Sequence, residues 1–93
     1  MTPEGKVKKR IRELLKKYPV YVVTPATGGY GMSGVPDLLI CHRGRFIGVE
    51  VKAGSNKPTA LQLDNLKKII DAGGVALVVN ELNINQLIEV LES

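Results

Sequence analysis

A short apolar stretch that ends in charge carries the clearest chemical signal in this sequence. In Phe46-Ile47-Gly48-Val49-Glu50-Val51-Lys52, the two-residue period of a strand puts Glu50 and Lys52 on one face, about 7 Å apart along the backbone. A carboxylate and an ammonium at the end of an apolar strand are expensive to bury unless they are paired or hold a metal. Asp37 follows Val35-Pro36 and opens the preceding apolar segment. A hairpin that turns near residues 42–45 would bring Asp37 toward Glu50 and Lys52, and two carboxylates so placed repel each other unless a cation lies between them. Magnesium suits such a site, since it takes oxygen ligands, keeps several waters and needs only one or two protein carboxylates. Asp37, Glu50 and the Val51 carbonyl are the candidate metal ligands. Lys52 is placed to orient or help deprotonate an attacking water, or to stabilise negative charge developing on a phosphate. The plainer alternative is an ion pair of Lys52 with Glu50 or Asp37 at a strand end. Glu-x-Lys spacing alone does not separate the two; Pro36-Asp37 upstream, a glycine-rich loop and a basic helix favour the metal site.

Seven elements are expected to position these residues. Thr2-Pro3-Glu4 starts a helix over 3–17, with Val7, Ile11, Leu14, Leu15 and Tyr18 at helical spacing. Pro19 stops it, and the β-branched run 20–24 reads as a strand. Residues 25–36 hold four glycines and two prolines and read as a functional loop. Residues 37–41 and 46–52 form the hairpin about 42–45. Thr59-Ala60-Leu61-Gln62 matches a capping box and opens a helix with Leu63, Leu66, Ile69 and Ile70 inward, ended by Gly73-Gly74. Val75–Val79 is a continuous apolar run, expected of a strand buried on both faces. A last helix covers 83–92, capped by Asn83, with Ile84, Leu87, Ile88 and Leu91 inward. The expected fold is a single α/β domain, residues 1–93, of order αβββαβα with a mixed sheet flanked by helices.

The 93 residues carry a net charge of +4 with 44% hydrophobic side chains, as in an ordinary globular domain. Residues 1–17 hold seven basic and two acidic side chains, so the first helix has the electrostatic footprint of a phosphate-binding surface; a merely solvated helix face is the alternative. Cys41 and His42 are the sole cysteine and histidine, which excludes an internal disulfide and a Cys/His zinc site within one chain. Cys41, at the end of an apolar run, is expected to be a small buried hydrophobe. His42, placed in the hairpin turn, is a poor candidate for a hydrolase base. The polar N-terminus and the absence of an apolar run of about 20 residues point to an intracellular, cytoplasmic protein with no membrane partner.

Pro36-Asp37, twelve intervening residues and Glu50-Val51-Lys52 together resemble the P-D…(D/E)-x-K signature of a large nuclease superfamily. The fuller set is Thr2-Pro3-Glu4, Ser33-Gly34-Val35-Pro36-Asp37, Gly48 to Lys52, and Gln62. It is similar to the virus-type replication-repair nuclease domain, VRR-NUC, over nearly the whole chain. The resemblance implies a magnesium-dependent endonuclease, with manganese as a substitute ion. It assigns Asp37 and Glu50 as metal ligands, Lys52 as the catalytic lysine, Glu4 as a further metal-site residue and Gln62 as a supporting catalytic residue. It also implies a homodimer acting in DNA repair on structured or branched DNA, foremost by resolving four-way (Holliday) junctions, with flap cutting as the main variant. Glu4 has a plainer role as a favourable charge at a helix N-terminus, and Gln62 as the third residue of the capping box.

DNA contacts are expected from Lys6, Lys9 and Arg10 on the first helix, and from Arg43, Arg45 and Lys57 elsewhere. These are phosphate contacts, which position without specifying sequence. Tyr30 and Ser33, in the glycine-rich loop, can lie against a sugar-phosphate strand because glycine permits close backbone approach; a plain connecting loop is the alternative. No base-reading helix is visible, and the chain has little material for a sequence-recognition domain. The rival from another class is a non-catalytic nucleic-acid-binding module on the same fold.

Overall fold

The computed structural model describes residues 1–26 and 33–93. Among them the elements follow the expected order: α1 (Pro3–Leu15), β1 (Tyr21–Val23), β2 (Leu38–His42), β3 (Arg45–Val51), α2 (Ala60–Asp71), β4 (Val75–Val79) and α3 (Asn85–Glu92). Thr2 caps α1 by accepting from the Gly5 amide at 3.0 Å, with Pro3 in the first turn, where a missing N–H is harmless. The helix ends at Leu15 rather than at 17, because the Lys17 and Tyr18 amides fold back on the Leu14 and Leu15 carbonyls. β2 and β3 are joined by Arg43-Gly44, with φ of 52° and 78°, the two left-handed residues that a type I′ hairpin turn requires. The turn is therefore tighter than the sequence suggested, and His42, opposite Arg45, is a strand residue.

The sheet has the order β1-β2-β3-β4. Its first three strands are antiparallel and β4 is parallel to β3, so α2 provides the crossover that a parallel pair needs. Side-chain alternation divides the sheet. On one face Leu38, Ile40, Ile47, Val49, Val51 and Val79 pack against Val7, Ile11 and Leu15 of α1 and Leu87 and Leu91 of α3. The other face of β3 takes α2. There Gly48 has no side chain because there is no room for one: an added Cβ would lie 2.6 Å from Ile69 Cδ1 and 3.3 Å from Pro36 Cγ. This close approach brings both α2 and the segment leading into Asp37 down onto β3.

Four expectations of burial and capping are corrected. Cys41 is exposed: Leu38, Ile40 and His42 face the core, so alternation turns Cys41 to the opposite face, beyond the part of it that α2 covers. Leu63 and Ile70 are also exposed, at 52% and 56%, because α2 presents Asn65, Leu66 and Ile69 to the sheet instead. β4 is an edge strand, and only Val79 in it is fully buried. Asn83 does not cap α3; its Oδ1 accepts from the Asn80 amide and its Nδ2 donates to the Val78 carbonyl, closing the turn after β4.

His42 is 1% exposed. Its ring nitrogens lie 3.2 Å from the Pro19 carbonyl oxygen and 3.0 Å from that of Leu91, so it ties the approach to β1 and the end of α3 to β2. His42→Ala leaves a cavity and removes the side-chain contact to the Pro19 and Leu91 carbonyls; unfolding by denaturant should show a loss of about 3 kcal/mol.

Candidate active site

The β2–β3 register runs Leu38↔Val49, Leu39↔Gly48 and onward to His42↔Arg45. One step back along the same register sets Asp37 opposite Glu50, and a second sets Pro36 opposite Val51. Proline has no N–H to give to the ladder. The Val51 amide donates instead to Asp37 Oδ2 at 2.8 Å. A strand residue turns its N–H and C=O toward the same neighbour in an antiparallel pair, so the Val51 carbonyl also lies on the Asp37 side, where Pro36 offers it no donor. The Pro-Asp pair thus orients one carboxylate and leaves a backbone oxygen beside it.

Glu50 is 2% exposed, within hydrogen-bonding reach of Asp37, and its Oε2 lies 3.7 Å from Lys52 Nζ. Burial pushes its carboxyl up to about 8 from an ordinary 4.5; the hydrogen bond and negative charge of Asp37 push the same way, Lys52 opposes them, and Glu4 adds a smaller push. A nearly buried carboxyl pair with this much strain on its second charge is the environment in which titratable groups do work. The sequence-derived trio of Asp37, Glu50 and Lys52 is therefore brought together. Glu4, half-buried in the first turn of α1, is felt by Glu50 through its charge. Among the described residues, however, no third His, Cys, Asp or Glu side chain joins the pair closely enough to complete a metal-binding cluster.

Gln62 completes the expected capping box: its Oε1 accepts from the Thr59 amide at 2.9 Å, and its own amide donates to Thr59 Oγ1 at 3.2 Å. Only its Nε2 is left for another partner. Arg45 donates to Ser93 Oγ at 3.0 Å and to the Val90 carbonyl, so its guanidinium serves the C-terminal end of α3, where a cation complements the helix dipole. Arg43 and Lys57 are exposed. Lys6 and Arg10 line a groove between α1 and the loop Ala53–Asn56 that follows β3, and with Lys9 they also line the cleft between α1 and α3. Ser33 is exposed, and Tyr30 lies outside the described residues.

Two site residues had no sequence signal of their own. Lys8 Nζ is 3.1 Å from Asp37 Oδ1, so each member of the acid pair has an ammonium partner. Lysine on a helix reads as solvated, and only the one-turn offset from Glu4 hinted otherwise. Asn65 is 7% exposed, and its Nδ2 donates to the Ser33 carbonyl at 3.1 Å and the Leu61 carbonyl at 2.9 Å. It anchors the end of the glycine-rich segment to α2. Gly34 is pressed against both, with φ of +79° and no room for a Cβ within 2.8 Å of Leu61, so the entry to Pro36-Asp37 is fixed from α2.

A scan of protein families finds no match for this sequence, and a search of curated proteins finds none either. A solved structure described as a "VRR_NUC domain" is similar, with 30% sequence identity and a TM-score of 0.79 over 96% of this chain and 97% of that one. The mixed four-stranded sheet flanked by helices, with Asp37 set against Glu50 and Lys52, is thus a nuclease-type fold, and the chain belongs to the VRR-NUC family of the PD-(D/E)XK nuclease superfamily.

Proposed function

We propose that the chain is a metal-dependent endonuclease that hydrolyses phosphodiester bonds in branched DNA, acting as a homodimer on four-way junctions. The observation that carries this reading is the enclosed Asp37–Glu50 pair: Glu50 is 2% exposed and within hydrogen-bonding reach of Asp37, and burial first, then Asp37, raise its carboxyl to about 8. Donor chemistry fits a hard divalent ion: two carboxylates and the Val51 carbonyl would hold Mg2+ or Mn2+, with waters completing the shell. When bound, the ion would supply a Lewis acid for a phosphate oxygen and lower the pKa of a coordinated water.

The chain's own residues supply the rest. The Val51 amide fixes the Asp37 carboxylate. Lys52, whose side chain is 14% exposed, sets its ammonium in an enclosed site, where it would stabilise charge developing on the phosphate more strongly than in bulk solvent. Lys6 and Arg10 line the groove beside the loop after β3 and suit backbone phosphate contacts. No helix among the described residues is long and apolar enough to cross a membrane.

The test is cleavage of labelled four-way junction, flap, linear duplex and single-stranded DNA, with Mg2+ or Mn2+ and with chelator. Paired nicks near the junction centre that need the ion are expected. Asp37→Ala should remove them while junction binding persists. Binding without cleavage on every substrate would instead identify a non-catalytic nucleic-acid-binding module.

A further inference from the structure

We propose that Lys8 couples cation binding to DNA binding, by exchanging Asp37 for a backbone phosphate; this rests on the metal-dependent nuclease reading above. Both oxygens of Asp37 are engaged: Oδ2 accepts from the Val51 amide at 2.8 Å, and Oδ1 lies 3.1 Å from Lys8 Nζ. The two ammonium groups at the site differ in access. Lys52 is enclosed beside Glu50, at 14% side-chain exposure, whereas Lys8, at 30%, is the more accessible to solvent. Lys8 also belongs to the basic helix. It lies one turn after Glu4 and one turn before Arg12, whose guanidinium donates to Thr24 Oγ1 at 3.3 Å. The stripe Lys8–Arg12 therefore runs from the acid pair toward β1.

A divalent cation at Asp37 and the Lys8 ammonium compete for the same carboxylate, and at such separations in a partly buried site their repulsion is large. In the DNA-free protein Lys8 opposes the cation. A phosphate at the mouth of the site offers Lys8 another anion, and Asp37 is released to the cation. Each ligand then strengthens the other, by the reciprocity that binding linkage demands. The exchange moves ion pairs only and forms no bond.

The experiment measures Mn2+ affinity by electron paramagnetic resonance for the full chain, alone and with saturating short duplex DNA. Wild type should bind Mn2+ about tenfold more tightly with DNA. Lys8→Met should tighten Mn2+ binding to the DNA-free protein about fivefold and remove most of the DNA-dependent gain, while Lys8→Arg keeps it. Lys16→Met is the charge control. It removes an exposed pair with Glu13 on the same helix and should leave both affinities near wild type. The proposal is overturned if Lys8→Met matches wild type without DNA, or if Lys16→Met shifts the affinity as much. Failure of the wild-type chain to take up Mn2+ at all would overturn it together with the metal-dependent reading beneath it.

Discussion

Glu50→Gln is expected to lower cleavage by orders of magnitude and, in the same molecule, to raise the stability of the cation-free protein at pH 8 and above. Glu50 is 2% exposed, and its carboxyl is raised from 4.5 to about 8, by burial first and then by Asp37. The sign follows from linkage. A carboxyl raised on folding favours the folded state fully below pH 4.5, and that contribution is lost as pH climbs through 8, on the order of a few kcal/mol in total. Glutamine fills the same space, hydrogen-bonds to Asp37 and carries no charge at any pH, so its stability should be flat across this window. Thermal unfolding in chelator at pH 5 and pH 8.5 reads the difference directly. The wild type should lose stability at the higher pH and Glu50→Gln should not; parallel pH profiles would mean that Glu50 does not hold the buried proton. Adding Mg2+ should restore the wild type alone, because a ligand that binds only the folded state stabilises it. Below pH 8 the ion must displace that proton, so the Mg2+ needed for half-maximal cleavage should rise about tenfold per pH unit as pH falls. Loss of a charged group from the reaction centre should lower cleavage by about 10²–10³-fold.

The centre of this site was legible because hairpin geometry is local. Strand parity placed Glu50 and Lys52 on one face, and any turn near 42–45 brought Asp37 opposite them, even though the turn proved to be only Arg43-Gly44. What the sequence hid depends on contacts between distant segments. Apolarity alone could not say that β4 would be the edge strand, since Val75–Val79 reads the same at an edge as in a sheet interior. Cys41 reads as core because its neighbours are apolar, yet α2 covers only part of its face. The phosphate role expected for Arg45 was blind to α3, whose Val90 carbonyl and following Ser93 hydroxyl accept from the guanidinium. Lys8 and Asn65 follow the same logic. A helical lysine and a helical asparagine become site residues only when the loop 33–37 is laid across them.

Lys52→Met should separate the reaction from the fold. If Lys52 were only a strand-end ion pair with Glu50, its loss would be felt as stability. At pH 7, however, Glu50 in the cation-free protein mostly holds a proton, since its carboxyl is raised to about 8, and a 3.7 Å contact with a neutral acid is worth little. The expected loss of stability at pH 7 is therefore below about 1 kcal/mol. Methionine covers much of the same apolar surface as the lysine stem. The Lys52 amide keeps its bond to the Val79 carbonyl at 3.0 Å, so the strand end stays in place. At pH 9 the variant should fall further below wild type, because a buried carboxylate then faces Asp37 without its cation, and removal of Lys52 pushes the Glu50 carboxyl higher still. Cleavage should drop about 10²–10³-fold at every pH, with junction binding nearly unchanged because a single enclosed ammonium contributes little to the phosphate-contacting surface. Lys52→Arg should recover part of the rate, since it restores the charge but presents it as a planar fork rather than a point. Unfolding at pH 7 comparable to a core mutant would assign Lys52 to the fold. A retained rate within tenfold of wild type would remove it from the reaction, whereas a stable, junction-binding, inactive variant would place its ammonium in the transition state.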